Sequence, residues 1–158
     1  MIRERRAADL DRLCAVLKAM SYPSSLLSEK DLHEWLEEHD AERSWVFDMA
    51  PVRVAPTKNV VGHVQIYRPA EDHLAEYTKR PATELLAIGK LFVRPDTHEY
   101  GIGRYLLKES VKYIRGRGKL PVLDLHRNGF LSKEFCEKFG FEEVPSANPG
   151  VAPMIYTK

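Results

Sequence analysis

Near the middle of the chain, Leu85-Leu86-Ala87-Ile88-Gly89-Lys90-Leu91-Phe92-Val93 is apolar almost without a break. A run this short, bounded by turn residues, reads as a strand covered on both faces. Shortly after Pro95 comes Gly101-Ile102-Gly103, and then Leu106, Leu107, Val111, Tyr113 and Ile114 mark a long helix that stops at Gly116 and Gly118. A helix that begins on a glycine turn presents unsatisfied N–H groups and the positive end of its dipole, and glycine lets an anion come close to the backbone. A diphosphate suits such a site. A Gly-x-Gly taken alone reads equally as a tight corner between strand and helix.

The remaining periodicity alternates short strands with helices. Ile2 to Arg5 is extended, and Asp9 stands as N-cap to a stripe of Leu10, Leu13, Cys14, Leu17 and Met20 that ends near Ser21, before Pro23. A second helix opens at Ser28, with Asp31 completing a capping box, and carries Leu32, Trp35 and Leu36. Glu34, Glu37, Glu38 and Asp40 form its acidic side. Residues 45–49 and 60–67 have strand composition and read as an antiparallel meander, with 50–59 between them. Residues 68–83 read as a loop or a short irregular helix, 121–126 as a strand, and 130–139 as a short helix closed by Gly140. Residues 141–144 and 151–157 are the last strand candidates, joined by a Pro- and Gly-rich turn.

There is no internal repeat and no low-complexity tract, so 158 residues read as one α/β domain, 1–158, long enough to bury a core without a disulfide or metal staple. A net charge of +1 from 24 basic and 23 acidic residues disfavours nucleic acid as a partner. No apolar run reaches the length of a membrane span, and the charged N-terminus is unlike a signal core, so the expected location is the cytoplasm. Cys14 and Cys136 have no metal-ligand spacing around them, so no metal is expected and both read as reduced thiols.

The full spacing says more than the glycines alone. Val93, Pro95, Asp96, Gly101, Ile102, Gly103, Leu106 and Leu107 fall in register with the acetyl-CoA signature of the GNAT superfamily of N-acetyltransferases, which the sequence resembles. Downstream, Phe135-Cys136-Glu137-Lys138-Phe139-Gly140-Phe141 is similar to a second family motif. The resemblance covers essentially the whole chain. It implies a strongly bent, mixed but mainly antiparallel sheet flanked by helices, with splayed fourth and fifth strands. The pantetheine of acetyl-CoA then lies against the backbone of Leu91, Phe92 and Val93, with its pyrophosphate on amides of Glu99, Tyr100, Gly101, Ile102, Gly103 and Arg104. Asn128 resembles the family's pantetheine-contacting asparagine. Arg104 either adds a charge-assisted contact to phosphate or is merely solvated.

The resemblance implies acetyl transfer to a primary amine by direct attack, with an N–H of Leu91 to Val93 stabilising the oxyanion. A tyrosine that many family members use to protonate the departing thiolate is replaced by Cys136, a thiol that either donates the proton or packs in the core. Ala87 and Gly89 stand where the fourth strand commonly supplies a base. Asp124 matches a proton-accepting glutamate of ribosomal-protein acetyltransferases, and pleating puts Val122, Asp124 and His126 on one strand face. Asp124 with His126 is then a water-mediated base, or both sit on a polar sheet face. The acidic side of the second helix is either an acceptor groove for a cationic amine or a solvated face. The missing tyrosine and base leave a non-catalytic acyl-CoA-binding regulatory module as the alternative to an enzyme. The partners expected are acetyl-CoA and an amine acceptor, a small amine or a protein amine, with a homodimer left open.

Overall fold

A strand that is hydrophobic along its whole length needs cover on both faces, and the chain supplies it with helices on either side of one sheet. The computed structural model describes residues 1–49, 59–69, 74–96 and 101–158. The connector expected over residues 50–59 lies mostly outside them. So do Glu99 and Tyr100 of the glycine loop.

In chain order the elements are β1 (Ile2–Glu4), α1 (Leu10–Met20), α2 (Glu29–Leu36), β2 (Ala41–Asp48), β3 (Val60–Tyr67), α3 (Leu74–Thr78), β4 (Leu85–Val93), α4 (Ile102–Gly116), β5 (Leu120–Asp124), α5 (Lys133–Phe139), β6 (Phe141–Glu143) and β7 (Pro153–Tyr156). The seven strands form one sheet in the order β1-β2-β3-β4-β5-β7-β6. All pairs are antiparallel except β4 with β5. α4 lays Ile102, Leu106, Leu107, Val111 and Ile114 on one face, against Ile66, Leu86, Ile88, Leu91 and Leu123. α1 and α2 pack Leu13, Leu17, Leu32 and Leu36 with Val46, Val60 and Phe92 in a second cluster. Every residue of β4 is buried.

Two features of β4 position the site. Between His63↔Phe92 and Gln65↔Gly89 the pairing with β3 gains a residue, a bulge at which Lys90 takes a left-handed φ of 54°. The bulge shifts the pleat, so Ile88 and Leu91, three apart, both face α4. On its other edge β4 pairs with β5 only at Leu85, Leu86 and Ala87, which face Leu120, Pro121 and Val122. From Ile88 onward the two strands part.

Most boundaries follow the sequence, but Asp9, which stands at the N-cap position of α1, does not cap the helix with its side chain. It is fully buried, its carboxylate binds the Arg3 guanidinium at 2.8 Å, and it accepts the Arg6 N–H that opens the preceding 3-10 turn. β5 also stops early. It ends at Asp124, whose carboxylate accepts the His126 N–H and starts a 3-10 turn over Leu125–Arg127. His126 is therefore not on a strand face beside Asp124. The capping of the turn by Asp124 competes with strand continuation.

Candidate active site

Where β4 leaves β5, the side chain of Asn128 bridges the divide. Its Nδ2 donates to Ile88 O at 3.2 Å and to Asp124 O at 2.9 Å, while its Oδ1 is buried with no partner among the described residues. An open buried acceptor costs about 1–3 kcal/mol unless something arrives to donate to it. Asn128 is thus a wedge and an unfilled acceptor in the same place.

On one side of the fork lies a groove of about 320 Å³ between the first turn of α4 and the segment leading into α5, lined by Gly101, Gly103, Arg104, Phe130, Leu131, Ser132 and Phe135. Gly101 holds φ 68°, which a side chain would strain, and as the N-cap residue it offers no side chain to cap the helix. A β-carbon on Gly103 would meet Phe130 at 3.6 Å and Val93 at 3.8 Å, so the glycine keeps the groove floor open. No acidic residue stands in this first turn, and the guanidinium of Arg104 lies 5.7 Å from the Phe139 ring. The groove combines open amides, the helix dipole and one cation, a combination suited to an anion.

On the other side is a cavity of about 380 Å³ lined by Tyr22 and Pro23 after α1, Trp35 and Glu38 of the α2 region, Lys90 of β4, and His126, Arg127 and Gly129 after β5. The left-handed bulge turns Lys90 toward it. The Lys90 ammonium stands 3.9 Å from the Trp35 ring centroid and pairs with Glu38. Burial, the largest influence, holds the Lys90 pKa below its ordinary value, against the pull of Glu38. Tyr22 closes the wall by accepting the Phe130 N–H at 3.3 Å, and its ring meets Trp35 edge-on.

The bulge has its own support. His63 is fully buried on β3, with Nδ1 2.8 Å from Lys90 O and Nε2 3.1 Å from the Arg5 guanidinium. Since arginine only donates, Nε2 accepts and Nδ1–H donates to the carbonyl. Burial first, and Arg5 second, push the His63 pKa down to about 3, so the ring is neutral when it holds the bulged carbonyl.

The proton-transfer residues expected from the sequence are not brought together. His126 lines the cavity; Asp124 is 2% exposed, with Oδ1 accepting the N–H groups of His126 and Ala152. Cys136 is fully buried in the α4-side core, and burial pushes its thiol up to about 11. Packing is the role its surroundings support. Of the acidic residues expected on the second helix, Glu38 and Asp40 lie beyond its end at Leu36 and pair with Lys90 and Arg68, so they do not form a uniformly negative groove. Tyr22, Trp35, His63 and Lys90 were not legible as site residues. Lys90 alone carried a signal, as the one charge inside an otherwise apolar strand.

A family model described as Acetyltransferase (GNAT) family matches residues 10–141. No curated protein matches the sequence. Among solved structures, PH1933 from Pyrococcus horikoshii OT3 superposes with a TM-score of 0.71 at 20% identity, covering 100% of this chain and 98% of that one. NAA60 from Arabidopsis thaliana, in complex with acetyl-CoA, gives a TM-score of 0.68 at 19% identity, with 99% and 97% covered. A GNAT family acetyltransferase from Brucella melitensis, also in complex with acetyl-CoA, gives 0.60 at 18% identity, with 100% and 88% covered. At these identities the likeness is one of fold.

Proposed function

The chain belongs to the GNAT acetyltransferase family, and on that premise we propose that it moves the acetyl group of acetyl-CoA to a primary amine, with cofactor and acceptor entering from opposite sides of the β4–β5 fork. The observation that carries the reading is the buried, unpartnered Oδ1 of Asn128 at the fork. Pantetheine is an amide-bearing arm whose N–H groups are the donors such an oxygen lacks. Leu91, Phe92 and Val93, on the stretch of β4 that β5 does not pair, would offer backbone groups to the same arm. The amides of Gly101, Ile102, Gly103 and Arg104 would receive the pyrophosphate. Glu99 and Tyr100, expected beside them, lie outside the described residues.

Bound acetyl-CoA supplies an activated thioester carbonyl. The protein's own work is to fix the backbone donors of β4 and to accept a proton from the entering ammonium. His63 does the first by holding the Lys90 carbonyl, which sets the peptide planes of the bulge. For the second, the cavity offers His126 and Glu38. Asp124 fixes the turn that carries His126. The non-catalytic module rested on the missing tyrosine and the missing fourth-strand base. His126 at the cavity offers a proton acceptor from another element, and the reading as an enzyme is favoured.

Calorimetry with coenzyme A and a thioester-consumption assay across primary amines test the reading together. Coenzyme A should bind, and at least one amine should accelerate thioester loss. Absence of binding overturns the proposal, and binding without turnover on any amine returns the protein to the module reading.

A further inference from the structure

The charges in the acceptor cavity identify what it is built to receive. Two cations, Lys90 and Arg127, and one carboxylate, Glu38, share its wall with the aromatic surfaces of Tyr22 and Trp35. Lys90 is engaged within the wall, buried to 4% side-chain exposure against Glu38 and Trp35, and it thereby neutralises Glu38. Arg127 is left. Its Nε lies 3.8 Å from Asp124 Oδ2, beyond hydrogen-bond distance, and Asp124 is already held by two backbone N–H groups through Oδ1. Among the described residues nothing accepts a hydrogen bond from the Arg127 guanidinium, which is 55% exposed at the cavity. A guanidinium is a planar fork of donors matched to a carboxylate.

We propose that the acceptor is a small amine that also carries a carboxylate, the chemistry of a free amino acid, with its carboxylate paired to Arg127. The cavity, about 380 Å³, is at the small end of ligand pockets, as a free amino acid requires. An amine without an anionic group leaves the Arg127 donors at the cavity unused, so the wall favours amino acids over polyamines. The walls of Tyr22, Pro23 and Trp35 suit an apolar or aromatic side chain. The inference rests on the acetyl-transfer reading and narrows its substrate.

Coenzyme A binding to the full chain tests that underlying reading separately. With acetyl-CoA supplied, kcat/KM is then compared for matched pairs, phenylalanine with phenethylamine and leucine with isopentylamine, and for spermidine. The carboxylated member of each pair should lead by roughly tenfold or more, the discrimination expected of one charge-assisted pair. Arg127→Gln should collapse that ratio toward one, and Arg127→Lys should keep part of it. Titration of the coenzyme A-loaded protein with the N-acetylated amino acids and the matched N-acetylated amines makes the same comparison without turnover. Equal use of both members, preference for spermidine, a ratio that survives Arg127→Gln, or no binding of any carboxylated ligand overturns the acceptor class while leaving acetyl transfer standing. Failure to bind coenzyme A overturns both.

Discussion

Asn128 and Lys90 show how much one side chain decides at the fork. Asn128 satisfies two carbonyls that the parting strands leave open, so Asn128→Ala should lower stability by about 1–3 kcal/mol through those carbonyls alone. If its Oδ1 receives the pantetheine arm, the same variant should also weaken coenzyme A binding about tenfold or more, read by calorimetry beside thermal unfolding. A stability loss with unchanged affinity would leave Asn128 as a wedge only. The family resemblance pointed to Asn128 one residue out of register, and the residue in register, Gly129, is exposed in the cavity beside Lys90. Lys90 was hidden for a physical reason. A lysine within an apolar run gives no sign of where its ammonium goes, and here the answer lies with Trp35 and Glu38, some fifty residues earlier in the chain.

Whole elements were read more easily than their ends. The runs over Val60–Tyr67 and Leu85–Val93 emerge as strands with the expected limits, because burial on both faces leaves little choice of residue type. β5 was overrun by two residues, since period-two alternation cannot register that the Asp124 carboxylate prefers to cap a turn. The bulge in β4 is equally invisible to pattern, as it needs β3 beside it to exist. The join between β4 and α4 gives a sharper test. A β-carbon at Gly103 finds ordinary contacts with Phe130 and Val93, while a larger side chain must occupy the groove. Gly103→Phe should therefore keep its unfolding midpoint within a few degrees, since a ~1 kcal/mol change moves it only that far. Coenzyme A affinity should fall by about 100-fold, on the order of 3 kcal/mol. Unchanged affinity would remove the α4 N-terminus from the cofactor site.

Across the molecule, two histidines tie stability to pH. Burial, with Lys90 second, lowers the His39 pKa to about 4, and His63 lies at about 3. Both are held neutral in the fold but protonate near 6.5 once unfolded. Between pH 6.5 and about 4 the unfolded chain binds more protons, so stability is full above 6.5 and falls as pH drops. The loss is at most about 1.4 kcal/mol per pH unit for each histidine. Urea unfolding at pH 7.5, 6 and 5 should show this decline, and His63→Gln should make it shallower while His39 keeps its share; a slope that the variant leaves unaltered would assign the acid sensitivity elsewhere. The near-balance of 24 basic and 23 acidic residues also takes on a spatial meaning, with pairs such as Arg3 with Asp9, Lys90 with Glu38 and Arg68 with Asp40 closing charge within the fold and Arg127, loosely paired with Asp124, facing the cavity. By itself the sequence determined the order of strands and helices, the glycine turn at the head of α4 and the family, because periodicity, capping and punctuation act over a few neighbouring residues. Only the tertiary structure decided where β4 and β5 part, which way Lys90 turns and which guanidinium faces the cavity, because each depends on groups that folding brings together from distant parts of the chain.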